Sequence, residues 1–393
     1  MTSSQLTVVG AGVIGMACAW RAAAVGFQVT VLDPAPASGA SWVAGGMLAP
    51  VTEAWPGEED LLELGEESLR RWPQFAAELE AAADRPAGLR TEGTVVVATG
   101  AGDRAELDTL AAYLGKLGRA VERLSGREMR RLEPALGPDV RGGLSVPDDL
   151  AVDNRVLLAA LRAAAERSGA RFVERAARAV LDDGSRVTGV RTDGPEVDSQ
   201  VVLVCAGAHS ARLHPALDGL VRPVKGEILR LAHRAGAFPP PSRTVRALVD
   251  GRPVYAVPRD GGGLVIGATQ AETGFDTEVT VGGVRDLLRD AERVLPGIAE
   301  YALVESAAGL RPGSPDNLPL VGPAGPDGLL VATGHHRNGM LLAPVTADAV
   351  LALLRGDPVP EALQAADPAR FSLARGTAAG AACGAGGVGE YRR

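Results

Sequence analysis

The sequence is poor in aromatic residues and has no excess of positive charge. Aromatic side chains make up 4% of its 393 residues, and 40 lysines and arginines stand against 48 aspartates and glutamates, a formal net charge of −8. Because affinity for a phosphate backbone comes mainly from cationic contacts, this balance argues against a nucleic-acid partner. The few aromatic rings also argue against extensive base-stacking surfaces.

Cysteine and long apolar runs are scarce as well. The three cysteines, Cys18, Cys205 and Cys383, form no zinc-binding pattern and no C-x-x-C motif. The longest apolar run, residues 6–20, is shorter than the ~20 residues that span a bilayer, and no basic segment precedes it as in a signal peptide. We therefore expect a cytoplasmic protein with free thiols, no membrane span and a core large enough to need no metal or disulfide.

What the sequence has in abundance is glycine, and near its start the glycines follow a pattern. Residues 6–9 predict a strand, residues 16–24 a helix and residues 29–32 a second strand, which together make a βαβ unit. Residues 10–15, between the first strand and the helix, read G-A-G-V-I-G. This order predicts a dinucleotide-binding turn whose helix N-terminus faces the phosphates.

Each position of the turn has a distinct physical role. Gly10 permits the tight turn, Gly12 leaves space for a pyrophosphate, and Gly15 lets the helix pack closely on the strand. Asp33 ends the second strand, where a carboxylate can accept hydrogen bonds from ribose hydroxyls. The carboxylate disfavours NADP, but the pattern does not separate NAD from FAD.

Beyond this unit the sequence pattern changes near Val221. Short strands separated by proline and glycine turns follow, which favour an antiparallel sheet. Helices are predicted over residues 59–80, 101–124, 156–167 and 342–354. Strands are predicted over residues 94–98, 201–205, 227–231, 254–257, 264–267 and 329–332, with a hairpin loop at residues 260–263. The alanine- and glycine-rich residues after 370 predict a disordered tail.

Two glycine-bounded segments in the last third carry charged side chains. Residues 308–313, A-G-L-R-P-G, present Arg311, whose guanidinium fork suits a carboxylate; the alternative is a surface cation. Residues 334–340, G-H-H-R-N-G-M, lie between a buried strand and a helix. Paired histidines can bind metal, but no further ligand stands at useful spacing, so an anion or the edge of a flavin ring is favoured.

With these residues placed, the chain resembles the glycine oxidase branch of the D-amino-acid oxidase and sarcosine oxidase family of flavoproteins. The resemblance spans residues 6–365 and rests on these blocks: residues 10–15 with Asp33, 44–48 (AGGML), 223–227 (PVKGE), 255–259 (YAVPR), 267–269 (GAT), 308–313 and 334–344. It implies an α/β fold, with a Rossmann-type FAD-binding domain in three segments, residues 1–85, 143–220 and 307–370. It also implies an inserted substrate domain of mixed, largely antiparallel β-sheet, residues 86–142 and 221–306, with residues 371–393 as the tail.

The resemblance implies non-covalent FAD, no metal, and a substrate carboxylate held by Arg311 and Tyr255, with Arg337 beside it. The residues implied to contact FAD are Gly10, Gly12, Val13, Ile14, Gly15, Asp33, Pro34, Ala40, Ser41, Gly45, Gly46, Met47, Leu48, His335, His336, Arg337, Asn338, Gly339, Met340 and Leu341. Backbone N–H groups of residues 337–340 and the following helix would stabilise negative charge on the flavin. Gln270 and Pro253 replace the methionine and histidine that are frequent in the family, which leaves the substrate preference open.

The implied activity is oxidation of glycine and other small amines or amino acids, with hydride transfer to flavin N5 and release of the 2-oxo acid, ammonia and hydrogen peroxide. In bacteria this branch supplies the thiazole of thiamin. No side chain is predicted as an obligate general base, and relatives suggest a homo-tetramer. Three alternatives stay open: a D-amino-acid or sarcosine oxidase or dehydrogenase, an NAD-dependent dehydrogenase, and a nucleotide-binding protein without catalysis.

Overall fold

A computed structural model describes residues 5–119 and 121–371. Eight α-helices occur in these ranges. They are α1 Val13–Ala24, α2 Ala40–Val43, α3 Glu59–Ala83, α4 Ala101–Lys116, α5 Gly126–Leu132, α6 Asn154–Arg167, α7 Val281–Val294 and α8 Ala343–Arg355. Within the same ranges, no helix is both long enough and apolar enough to cross a membrane.

Twenty strands connect these helices in the described ranges. They are β1 Gln5–Val9, β2 Gln28–Leu32, β3 Met47–Leu48, β4 Leu89–Arg90, β5 Thr94–Ala98, β6 Glu122–Ser125, β7 Gly142–Val146, β8 Leu150–Val152, β9 Arg171–Val173, β10 Ala177–Asp182, β11 Val187–Thr192, β12 Val197–Asp198, β13 Val202–Val204, β14 Arg222–Ala232, β15 Thr244–Val249, β16 Arg252–Pro258, β17 Gly263–Gly267, β18 Ala302–Gly313, β19 Leu320–Pro323 and β20 Leu329–Thr333.

The first large sheet has six strands in the order β19-β20-β13-β1-β2-β9, all parallel except β19. Its central strands are runs of valine and leucine because both faces are covered. The strand order reverses direction at β1, so a crevice opens at the carboxyl edge beside β1 and β13. The predicted βαβ unit is confirmed, with β1, α1 and β2 in sequence.

Helices α1, α3, α6 and α8 bury the largest apolar cluster against one another and this sheet. Trp72 of α3 is fully buried, and its ring meets Phe75 edge to face at 5.4 Å. Its indole Nε1 donates to the Leu341 carbonyl at 2.9 Å, and Ser68 Oγ donates to the same oxygen at 2.6 Å. Core packing of α3 thus fixes the segment that precedes α8.

The second large sheet has eight strands in the order β18-β14-β17-β16-β15-β5-β7-β6. Every neighbouring pair is antiparallel except β15 with β5. Two three-stranded sheets, β10-β11-β12 and β3-β8-β4, complete the described fold. The predicted combination of a segmented Rossmann-type domain and a mixed, largely antiparallel sheet is confirmed.

Several sequence predictions need correction. The helix predicted over residues 101–124 ends at Lys116, and residues 122–125 form β6, because they pair with β7. Strand β18 was not predicted, although its pairing with β14 spans residues 302–313. Strand β7 and the end of β18 pair within the second sheet, and the predicted domain boundaries, which place residues 143–146 and 307–313 in the FAD-binding domain, stay a prediction. Apart from Phe371, the predicted tail lies outside the described residues, as does Cys383.

Candidate cofactor and substrate site

The glycine turn lies at the carboxyl edge of β1, in the crevice of the first sheet. Gly10 has φ of +107°, and a Cβ there would overlap the Cys205 carbonyl just after β13. At Gly15 a Cβ would overlap the Gly10 carbonyl. Both positions therefore need glycine because backbone approaches backbone. A Cβ at Gly12 would meet only Ser41 Oγ, at 3.1 Å, so this position leaves space in front of α1.

Asp33 holds the turn as well as facing the crevice. Its Oδ2 accepts from the Ala11 N–H at 2.7 Å, and its Oδ1 accepts from the Ala35 N–H at 2.8 Å. A carboxylate has about four acceptor positions, so capacity for ribose hydroxyls remains. Ser41 Oγ accepts from the Val13 N–H at 3.0 Å, which places a hydroxyl at the N-terminus of α1.

A cavity of about 1400 Å³ runs from this turn to the second sheet. It exceeds the ~300–1,000 Å³ of typical small-ligand pockets, as a dinucleotide together with a small substrate would require. Most of the residues predicted to contact the cofactor line it: Gly10, Gly12, Val13, Ile14, Asp33, Pro34, Ala40, Ser41, Gly45, Gly46, Met47, His335, His336, Arg337, Gly339 and Met340.

Four predicted cofactor residues do not line the cavity. Gly15 faces the strand, and Leu48 is fully buried in the helical core. Asn338 and Leu341 border a small separate pocket beside α3. All four residues are buried, each packed against other parts of the protein and not along this cavity.

Arg311 lies on β18, and its guanidinium rests against Gly226 of β14. Its Nη1 is 3.2 Å from the Thr269 carbonyl and 3.4 Å from the Lys225 carbonyl. Among the described residues, no carboxylate pairs with it. Arg311 lines the cavity, and because a guanidinium has five N–H donors, most of its hydrogen-bonding capacity remains for a ligand there.

Tyr255 stands on β16 in the same cavity. Its ring fills the space above Gly45 and Gly267, where a Cβ on Gly45 would lie 2.8–2.9 Å from ring atoms. Burial raises the pKa of the Tyr255 hydroxyl, while the charge of Arg311 lowers it. The net shift is upward, so the hydroxyl stays protonated at neutral pH and can donate to an anion.

Arg337 lines the cavity too, but its guanidinium is engaged. Its Nη2 lies 3.1 Å from Glu58 Oε2, and its Nε lies 3.5 Å from Glu53 Oε2. Glu53 also pairs with Arg246 Nη1 at 2.8 Å. Arg246 is directly opposite Tyr255 across β15 and β16, so the two side chains share a face. Glu53 and Arg246 were missed in the sequence because no motif or spacing marks either of them.

The paired histidines are uncharged at neutral pH. Burial lowers the pKa of His335 to about 3, and its Nε2 lies 3.0 Å from Thr346 Oγ1 in α8. Burial lowers the pKa of His336 to about 4, with Arg337 and Arg311 adding to the effect. In the described ranges, no group of three or more histidine, cysteine or acidic side chains is arranged to hold a metal ion.

The backbone N–H groups of residues 337–340, predicted to face the flavin, are partly used in hydrogen bonds within residues 335–343. The Asn338 N–H bonds to the His335 carbonyl at 2.8 Å, and the Leu342 N–H bonds to the Asn338 carbonyl at 2.8 Å. Helix α8 begins at Ala343, whose N–H bonds to the Met340 carbonyl at 3.3 Å. These contacts turn the loop into the helix and leave fewer free N–H groups than the sequence predicts.

A buried acid behind the cavity was also missed. Asp149 is 1% exposed, and its Oδ2 accepts from Thr52 Oγ1 at 2.9 Å, while its Oδ1 has no partner among the described residues. Burial raises the pKa of Asp149 to about 7, although Thr52 and Arg246 oppose the shift. Thr52 itself lines the cavity.

The turn, the acid after β2 and the long cavity fit FAD, and together they are typical of a dinucleotide-binding protein. The chain belongs to the family of FAD dependent oxidoreductases named DAO, whose model matches residues 5–353. Its cofactor is therefore FAD.

Sequence and structure comparisons agree on the family. The glycine oxidase of Geobacillus kaustophilus is 34% identical over 379 residues, 94% of this chain and 97% of that protein. Its crystal structure superimposes with a TM-score of 0.85 at 32% identity, covering 94% of this chain and 99% of that one.

Two further relatives share the name ThiO. The bifunctional protein ThiO/ThiG of Synechocystis sp. is 33% identical over 94% of this chain, which spans 54% of that protein's length. The putative thiamine biosynthesis oxidoreductase ThiO of Rhizobium etli is 34% identical over 88% of this chain and 95% of that protein. This chain thus spans about half the length of the bifunctional relatives it matches.

Proposed function

We propose that this protein oxidises glycine and other small amines or amino acids, using FAD and molecular oxygen. One observation carries the proposal: Arg311, without a carboxylate partner in the described chain, shares a cavity with Tyr255 and the dinucleotide turn. A cation and a neutral hydroxyl on strands of the same sheet suit the carboxylate of an amino acid.

The first task of the site is to hold that carboxylate. Arg311 can present two N–H groups to its two oxygens, and hydrogen bonds to charged groups contribute ~1.5–3 kcal/mol each. The Tyr255 hydroxyl, kept protonated by burial, adds a donor from β16. Fixing the acid end of a small substrate leaves its α-carbon with one orientation, which can supply several kcal/mol toward the barrier.

FAD, when bound, supplies the two-electron acceptor. Glu53 is the acidic side chain beside Arg337 in the cavity wall, and it is paired with both Arg246 and Arg337. A carboxylate paired in this way is not available as a base. The chain's own contribution is therefore to orient the substrate. The two neighbouring histidines are neutral at physiological pH. We infer that no side chain acts as an obligate general base and that the substrate amine reacts in its neutral form.

The overall reaction for glycine balances as glycine, oxygen and water giving glyoxylate, ammonia and hydrogen peroxide. The glycine oxidase of Geobacillus kaustophilus supports this substrate. The relative from Rhizobium etli, a putative thiamine biosynthesis oxidoreductase, supports a role in thiamine biosynthesis, and we propose that the imine product serves there to form the thiazole of thiamin. Pro253 and Gln270 both line the cavity, and they are the residues to examine for preference among small amines.

The test is the visible spectrum of the purified protein before and after anaerobic addition of glycine. We expect a yellow protein whose flavin absorption bleaches with glycine and returns with air. A steady-state panel of glycine, sarcosine and D-amino acids, with peroxide measured, then ranks the substrates. A flavin that no member of the panel bleaches would contradict the proposal, and turnover restricted to D-amino acids or sarcosine would favour the corresponding oxidase.

A further inference from the structure

Behind the cavity, two arginines from the second sheet and its edge donate hydrogen bonds to one asparagine of α6. We call Arg230 of β14, Arg259 at the end of β16 and Asn154 at the start of α6 the arginine–asparagine cluster. Asn154 Oδ1 accepts from Arg230 Nη2 at 3.1 Å and from Arg259 Nη2 at 3.2 Å. None of the three side chains lines the cavity.

The cluster holds the backbone of residues 41–45, which line the cavity except for Trp42. Asn154 Nδ2 donates to the Ser41 carbonyl at 2.9 Å and to the Trp42 carbonyl at 2.8 Å. Arg259 Nη2 donates to the Gly45 carbonyl at 2.7 Å. Because these carbonyl oxygens point toward the cluster, the opposite side of the same backbone faces the cavity.

The side chains that make these hydrogen bonds are shielded from solvent, so water does not compete for their partners. Asn154 is fully buried and Arg259 is 7% exposed. The Asp153 carboxylate, 3.5 Å from Arg259 Nε, provides the nearby opposite charge. Desolvation lowers the pKa of Arg259 to about 10, so the side chain stays charged at neutral pH. A buried guanidinium with fixed partners has few alternative arrangements, and its partners are therefore held in place.

Residues 41–45 contact both ends of the cavity. Ser41, whose carbonyl bonds to Asn154, accepts the Val13 N–H of the dinucleotide turn through its hydroxyl. Gly45, whose carbonyl bonds to Arg259, lies against the ring of Tyr255. Tyr255 lies on β16, and Arg259 directly follows the last residue of that strand.

We propose that Arg259 is a positioning residue of the FAD site: from the second sheet, and together with Asn154, it fixes residues 41–45 in the conformation that binds the cofactor. The affinity for FAD then depends on a side chain that does not line the cavity. This inference rests on the FAD cofactor of the family and is independent of which amine is oxidised.

The experiment is an FAD titration of apoprotein prepared from the wild type, Arg259→Met and the control Arg252→Met. Arg252 lies at the other end of β16 and pairs with Asp290 at 2.8 and 3.0 Å, between the second sheet and α7. We expect R259M to raise the Kd for FAD at least tenfold and R252M to leave it within twofold. Hydrogen exchange on the same apoproteins should quicken in peptides covering residues 40–46 of R259M and remain unchanged around residues 142–146.

Two results would overturn the proposal. One is a Kd for FAD in R259M within twofold of the wild type. The other is an equal rise in R252M, which would mean a general loss of stability. If R259M does not fold, Arg259→Lys decides, because it keeps the charge with fewer donors: a Kd at least threefold higher supports the proposal, and a smaller change contradicts it. A wild-type protein that binds FAD but oxidises no amine would leave the expected ratios intact and would count against the proposed function alone.

Discussion

The two ends of the cavity are built in different ways. The nucleotide end is made mainly of backbone from the first βαβ unit, where Asp33 accepts from the Ala11 N–H and Gly10 packs against the Cys205 carbonyl after β13. The end proposed to hold the substrate, called the substrate end below, is lined by long side chains from distant stretches, Arg311, Tyr255 and Arg246 among them. Local backbone shape thus builds the nucleotide end, whereas the proposed substrate end depends on side chains that folding brings together.

The largest effect should come from removing the unpaired cation of the substrate end. We expect Arg311→Met to lower kcat/KM for glycine by about 10³ or more, corresponding to ~4 kcal/mol, because carboxylate binding and orientation are both lost. The flavin should remain bound, as seen in the visible spectrum. Arg222→Met, which removes an exposed arginine paired with Glu272, is the control and should change kcat/KM little. Near-normal turnover in R311M would show that the carboxylate binds elsewhere.

The nucleotide end can be broken by a single methyl group. Gly10→Ala forces an alanine to φ of +107° and its Cβ onto the Cys205 carbonyl, so we expect loss of FAD binding and destabilisation by about 1–3 kcal/mol or more. Gly26→Ala is a matched control, since Gly26 has φ of +97° with no atom near its Cβ position. It should carry a similar backbone strain and lower Tm accordingly, but bind FAD normally. FAD titration and thermal unfolding measure both, and equal FAD affinity in the two variants would contradict this role of Gly10.

Asp149, behind the substrate end, predicts a pH-dependent stability. Its folded-state pKa of about 7 is above the ordinary 3.8, so the folded protein binds its proton more tightly than the unfolded chain. This contribution is full below pH 3.8 and is lost as the pH rises toward the folded-state value, by at most about 4 kcal/mol.

Asp149→Asn removes the titration and keeps the acceptor for Thr52. Relative to the wild type, the variant should therefore gain Tm progressively as the pH rises from about 4 to about 7. Asp148→Asn, at the neighbouring exposed residue, serves as the control. A wild-type to D149N difference in Tm that is independent of pH would mean that Asp149 does not titrate in this range.

The smallest effect concerns the shared carboxylate of Arg246 and Arg337. Glu53→Gln removes a negative charge from the cavity wall, so the pocket becomes more positive and a simple carboxylate such as acetate should bind about two- to fivefold more tightly. Perturbation of the flavin spectrum by acetate measures the Kd. Glu272→Gln, on the exposed partner of Arg222, should leave it unchanged, and weaker acetate binding in E53Q would refute the electrostatic argument.

The sequence predicts the nucleotide end better than the substrate end for a physical reason. The turn, its helix and Asp33 lie within one βαβ unit, so the local sequence marks them. Strand β5 of the second sheet is predicted at residues 94–98 as observed for the same reason, because a run of valines is a local property. Glu53 and Arg246 acquire their relation only through folding, and β18, rich in alanine and glycine, becomes a strand by pairing with β14. Arg311 was marked by its glycine-bounded segment, whereas Tyr255 was found through the resemblance. Their roles, like the tetramer and the substrate preference, stay predictions.

The parallel pairing of β1 with β13 has a consequence for biosynthesis. Thr7 aligns with Val202, and β13 in turn aligns with β20. A growing chain that exposes the first βαβ unit has no second wall for its crevice until β13, residues 202–204, has left the ribosome. We therefore expect cofactor loading only after β13 and β20 have both been synthesised, and fragments ending before Leu329 should emerge colourless.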